Sequence, residues 1–185
     1  VVCDGNNRQG ISVITAENLL IEDSVLKNTG GTAPEAGIDF EPNHAGERLV
    51  DCVMRNCRSE NNRGHGYHLY LGHFNRDSTP VSIRFENCVS KANGRYSTYV
   101  GLANREGGPT VGGSVEYEAC RFDADEKAGV YIRGSEAGGG RVLFRNCEIV
   151  REDRRIETAL APITIELPRR LDVDLEPGRH RRHGV

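Results

Sequence analysis

The sequence predicts an all-β fold, a parallel β-helix of three short strands per coil and about five to six coils. Three observations predict it. A side-chain pattern recurs every 27 to 33 residues, strand-like alternation fills the intervals, and the composition favours turns over packed helices.

The pattern emerges when five segments are aligned: residues 19–26, 52–59, 83–90, 115–122 and 142–149. Column one reads Leu19, Cys52, Ile83, Val115 and Val142; column two, two residues on, reads Ile21, Met54, Phe85, Tyr117 and Phe144. Column three lies three further on, with Ser24, Cys57, Cys88, Cys120 and Cys147. Column four is Leu26, Ser59, Ser90, Phe122 and Ile149. Steps of two keep side chains on one face of a strand, so the single step of three marks a bend between two strands. Asp23, Asn56, Asn87 and Asn146 stand just before column three, where Asn and Asp tolerate a bend; Ala119 breaks the set.

A further alternating strand falls in each interval: residues 10–13, 37–41, 66–70, 98–102, 129–133 and 162–166. A period of about thirty residues holds three strands but no helix beside them. Each strand therefore pairs in parallel with its counterpart one turn on.

At 185 residues the chain is one domain by size. The β-helix is placed at 1–170, as a segment of a longer chain, and 171–185 as a C-terminal strand or disordered basic tail. Gly is abundant at 22 residues and Trp is absent. The net charge of -3 argues against a general nucleic-acid binder, and no apolar run is long enough to span a membrane. Val1-Val2-Cys3 lacks the charged start of a signal peptide. Open solenoid ends call for capping, by further coils or by another chain.

Four of the six cysteines, Cys57, Cys88, Cys120 and Cys147, share one inward column, and Cys52 also faces the core. In-register neighbours about 4.8 Å apart point the same way, which disfavours bridging. A buried thiol stack is expected, and without a CxxC pair zinc is not.

The candidate chemistry centres on residues 36–43, where apolar and acidic residues alternate. Asp39 and Glu41 share the outer face, about 7 Å apart at Cβ. That spacing suits Ca²⁺ through oxygen ligands, or an acid/base pair. Stacking the outward positions gives Ser12, Asp39, His68, Tyr99, Tyr131 and Thr164, and beside them Glu41, Tyr70, Gly101, Arg133 and Glu166. A slip of one in the Tyr99 coil would turn Thr98 and Val100 outward instead. Arg133 and Glu166 also fit a cross-coil ion pair. Polar connections at 42–48, 72–80, 103–113 and 134–140 would wall the face, bringing in Asn43, His44, His73, Asn75, Arg76 and Arg105.

From Arg8 to about Glu166 the repeat resembles the right-handed parallel β-helix of the pectate-lyase-like superfamily. The resemblance implies a right-handed coil and a carbohydrate-active protein that is secreted, periplasmic or at the cell surface. It points to a polysaccharide lyase or glycoside hydrolase on an acidic, uronate-containing polysaccharide, with C5-epimerase chemistry also represented. Gly64-His65-Gly66 is similar to an element of the polygalacturonase family, whose histidine supports an acid/base pair of aspartates; Asp39 and Glu41 would take those roles. The paired Asp-Asp and the Arg-x-Lys of that family are absent. Gly37-Ile38-Asp39 is similar to a strand of alginate epimerase relatives, with Asp39-Phe40-Glu41-Pro42 in place of their Asp-Pro-His-Asp.

The catalytic candidates are thus Asp39, Glu41, His65 and His68, with Asp39 and Glu41 also the candidate Ca²⁺ ligands. Tyr70, Tyr99, Tyr131, Arg133, Asn43 and His44 are the substrate-binding candidates. In an elimination or epimerisation Arg133 would neutralise the uronate while His68 or Tyr70 moves protons. The rival readings are a non-catalytic β-helix that binds glycan or serves as a structural spike, and a truncated enzyme whose site needs further coils.

Overall fold

The computed structural model describes residues 1–123, 127–134 and 139–150, and beyond them the strands Ile163–Glu166 and Val173–Leu175. It is an all-β parallel solenoid, with about four complete turns among the described residues, slightly fewer than the coils expected. The first sheet comprises Val2–Asp4, Val25–Lys27, Arg58–Glu60, Val89–Lys91, Arg121–Asp123 and Glu148–Val150. The second comprises Gln9–Val13, Ala36–Phe40, Tyr67–Tyr70, Thr98–Gly101, Val130–Arg133 and Ile163–Glu166. The third comprises Leu20–Glu22, Cys52–Arg55, Val81–Glu86, Gly113–Glu118, Arg141–Arg145 and Val173–Leu175. A short pair, Ala16–Glu17 with Leu49–Val50, was not expected and squares off the corner between the second and third sheets. Val173–Leu175 pairs with 142–144; the rest of 171–185 lies outside the described residues.

The observed register reproduces the columns. Cys52, Ile83, Val115 and Val142 are aligned, as are Ile21, Met54, Phe85, Tyr117 and Phe144. Parallel pairing without slippage puts like positions on top of one another, so rings inside stack on rings. Phe85, Tyr117 and Phe144 lie 4.8 Å apart in two successive stacked contacts, and Phe122 meets Tyr117 edge-on at 5.3 Å. Losing one such ring would leave its neighbours facing a void, a cost of about 3–5 kcal/mol. The buried tyrosines keep their hydroxyls satisfied: Tyr67 donates to the Val89 carbonyl at 2.8 Å, and Tyr117 pairs with Thr98 at 2.7 Å. That second contact places Thr98 inside, which fixes the Tyr99 register: Thr98 is buried and Tyr99 faces out.

The corners are built from left-handed residues. Between the third and first sheets Asp23, Asn56, Asn87, Ala119 and Asn146 have φ of 48, 52, 50, 51 and 52°. Side chains there link rung to rung, Asn56 to Asp23 at 3.2 Å and Asn87 to Asn56 at 2.9 Å. Immediately after comes the thiol stack. Cys57, Cys88, Cys120 and Cys147 are free, and each sulfur lies within 3.5 Å of a carbonyl of the preceding turn. Burial first, then the Asp51 charge, pushes the core-facing Cys52 thiol up to about 11.

Ala119 is the weak rung of this corner. An L-residue other than Asn, Asp or Gly pays about 1–2 kcal/mol in the left-handed region. Ala119→Asn is expected to relieve that cost and extend the amide ladder. Thermal unfolding should move up by roughly 2–4 °C for each kcal/mol gained; an unchanged or lower midpoint would contradict this account.

Candidate functional site

The three outer faces differ in chemistry. The third sheet carries ion pairs along its outside, Arg55–Glu86 at 2.7 Å, Arg84–Glu86 at 2.8 Å and Arg145–Glu116 at 3.0 Å. The first sheet does the same with Lys27–Asp4 at 3.5 Å and Arg121–Asp123 at 2.9 Å. The second sheet presents rings instead. Its outward column runs Ser12, Asp39, His68, Tyr99 and Tyr131 in register.

Contact along that file is continuous. His68 lies 4.8 Å from both His65 and Tyr99, Tyr99 stacks on Tyr131 at 5.3 Å, and Tyr96 stacks on Tyr131 at 4.5 Å. Tyr70 extends the file beside His68 at 6.5 Å and meets His73 edge-on at 5.7 Å. Gly101 makes room for Tyr99, since a Cβ there would come within 2.8 Å of its ring.

Asp39 sits at the head of the file and is wholly buried. Its Oδ1 contacts His68 Nδ1 at 2.7 Å, while Oδ2 has no hydrogen-bond partner among the described residues. With Nδ1–H directed at the carboxylate, the lone pair of His68 is left on Nε2. The side chain of His68 is 13% exposed, so this imidazole links a buried carboxylate to the surface. At the ends of the Asp39 strand, whose five residues are all buried, the Arg8 guanidinium bonds both the Ala33 carbonyl at 3.2 Å and Glu41 at 2.7 Å.

Glu41 is thereby committed to Arg8 and Asp39 to His68. The two carboxylates do not act as one cation site, and no group of three or more His, Cys, Asp or Glu residues able to hold a metal gathers among the described residues. The donor set does not fit Ca²⁺, which takes six to eight oxygens.

His65 has a local explanation. Gly66 precedes the strand facing inward, where a Cβ would lie 1.9 Å from Ser90 Oγ and 2.5 Å from the Ser97 carbonyl; Gly64 is closed off by the Pro34 carbonyl at 1.8 Å. The two glycines let the chain hug its neighbours and tuck His65 between them. His65 is 4% exposed, with Nδ1 unpartnered among the described residues. Burial first, then the His68, Arg95 and Lys127 charges, pushes it down to about 2.

The structure therefore brings together Asp39, His65, His68, Tyr70, Tyr99 and Tyr131. Arg133 is exposed at the edge of the file, in register with Gly101. Its partner in register, Glu166, has a side chain outside the described residues, as does the expected ion pair. Asn43 and His44 are exposed in the adjoining loop, where their amides bond Glu47 and not the file. His73 reaches the file through Tyr70, whereas Arg76 and Arg105 are exposed. Tyr96, Arg95 and Lys127 were not singled out in the sequence. Stacking the corner segments 61–66 and 92–97 would have found Tyr96, because equal lengths place it over His65.

Two outcomes are expected. Gly66→Ala should destabilise the fold by about 1–3 kcal/mol through overpacking against Ser90, measured by urea unfolding. His65 titrates near 6.5 when unfolded, so the unfolded chain binds more protons below that value. The stability tied to neutral His65 is whole above about pH 6.5 and lost as pH falls toward 2. His65→Phe keeps the ring without the ionisation, and should flatten the acid limb of a stability–pH curve; an unaltered slope would overturn this assignment.

No family model matches the chain, and searches of curated proteins and of solved structures gave no significant match.

Proposed function

We propose that the chain is a carbohydrate-active protein acting on an acidic, uronate-containing polysaccharide by proton abstraction from a sugar ring. The class is that of a polysaccharide lyase, with a C5-epimerase sharing the first step. The observation that carries this reading is the Asp39–His68 contact at 2.7 Å, set into the aromatic file of the second sheet. The likeness of the repeat to the pectate-lyase-like superfamily supports the same substrate class, and with it a secreted, periplasmic or cell-surface setting.

Asp39 orients His68 and stabilises the imidazolium that forms when Nε2 accepts a proton. In an elimination, the C5–H bond breaks toward His68 and its electron pair becomes the C4–C5 double bond. The C4–O4 bond then breaks, and O4 takes a proton from a tyrosine of the file; Tyr99, 4.8 Å from His68, is the nearest by ring contact with Tyr70 beyond it. Epimerisation instead returns a proton to the opposite face of C5. Hydrolysis fits less well, because it needs two carboxyls facing the scissile bond. Asp39 is buried and Glu41 is held by Arg8.

A second reading, a non-catalytic glycan-binding module, is favoured by one observation. Tyr96, Tyr99 and Tyr131 stack mainly on one another, so part of their faces is already used.

The test is incubation with a panel of acidic and neutral polysaccharides, following unsaturated-uronate absorbance, reducing ends and solvent deuterium uptake at C5. Elimination predicts the first two signals together; epimerisation predicts deuterium alone. His68→Ala should lose about 10²–10⁴-fold in rate, while Asp39→Asn should lose rate with binding retained. Binding without any of the three signals would overturn catalysis and leave the module.

A further inference from the structure

We propose that Arg95 and Lys127 form an anion subsite beside the aromatic file, which holds the acidic substituent of a bound sugar. The inference rests on the glycan reading above and specifies how an acidic chain is told from a neutral one.

Register places the two cations together. Thr98 pairs with Val130, and Arg95 and Lys127 each stand three residues before those partners. They occupy one column on adjacent turns, about 4.8 Å apart in the stacking direction. The Arg95 amide is anchored to the Gly64 carbonyl at 2.9 Å, which sets the height of its rung. Both side chains belong to exposed residues, and the Lys127 ammonium stands 5.9 Å from the centre of the Tyr96 ring. Tyr96 in turn stacks on Tyr131 and on His65, so the cations border the file directly.

Adjacency sets them apart: Arg76, Arg105 and Arg141 also lack an ion pair among the described residues, but Arg95 and Lys127 share one column beside the rings. On the rung below, Arg63 is neutralised by Glu35 at 3.4 Å, and the outer faces of the other sheets match cation with carboxylate repeatedly. Among the described residues Arg95 and Lys127 have no carboxylate partner, although the protein as a whole is acidic. Two like charges on neighbouring rungs repel, and an anion between them removes that repulsion. A sugar lying on the Tyr99–Tyr131 rings would carry its substituent sideways to this pair. A carboxylate and a sulfate share the required chemistry, a compact anion that accepts hydrogen bonds from a guanidinium and an ammonium.

The experiment measures retention of the full chain on immobilised polyuronate, sulfated polysaccharide and neutral polysaccharide, at low and raised salt. Wild type is compared with Arg95→Gln/Lys127→Gln, with Arg121→Gln as an ion-pair control on the first sheet and thermal midpoints recorded for all. Expected is about a ten-fold weakening of acidic-chain binding in the double variant, a flatter salt response, and neutral-chain binding unchanged. Loss on polyuronate alone assigns a carboxylate, and loss on the sulfated chain alone assigns a sulfate. Equal binding of acidic chains by wild type and double variant overturns the subsite while the glycan reading stands. Equal loss on neutral chains traces the effect to a damaged file and also overturns the subsite. Retention of no chain by folded wild-type protein overturns both.

Discussion

Everything in this molecule depends on parallel hydrogen bonding held in register from one turn to the next. A rung rises by about 4.8 Å, so each side chain meets its equivalent on the rung above and below. Whatever is chosen at one position must therefore tolerate a near-copy of itself as a neighbour. Rings satisfy that rule in the core, as with Phe85, Tyr117 and Phe144. Amides satisfy it at the corners, where Asn62 bonds Asn93 at 2.9 Å beneath the first-to-second bend. Charge satisfies it largely by pairing, as in the ion pairs of two outer faces.

The second sheet departs from alternation, and its departures coincide. A buried carboxylate, a histidine leading to the surface and a file of tyrosines occupy a single column. Beside it, two cations stand on consecutive rungs with no carboxylate partner among the described residues. A polar sheet face serving stability alone would repeat the ion-pair scheme of its neighbours. The hydrogen-bonded Asp39 and the neutral, buried His65 instead carry a desolvation cost that the local stacking must offset.

Much of the fold was legible because the interior repeats a single residue class at fixed offsets. The step of three before the cysteines located a left-handed corner, and even the exception, Ala119, turned out to share its φ. The outward column was legible for the same reason. The burial of Asp39 was not, nor was the Arg8–Glu41 pair, a contact 33 residues distant in the chain. Column stacking assigns a face but not what lies over it. Tyr96 and Lys127 escaped notice because they sit in a corner, where alternation of period two no longer applies.

The close fit of Gly66 beneath Ser90 has a consequence for how this chain accepts change. The hydroxyl of Ser90 occupies the space that a methyl at position 66 would need, and the same hydroxyl binds the Ser97 carbonyl at 2.7 Å. Residues 24 positions apart are thus bound as one unit of inheritance. A larger residue at 66 requires position 90 to give up its oxygen, and that loss leaves the Ser97 carbonyl with the Tyr67 amide as its donor. Substitutions along this corner will travel up the solenoid in linked sets.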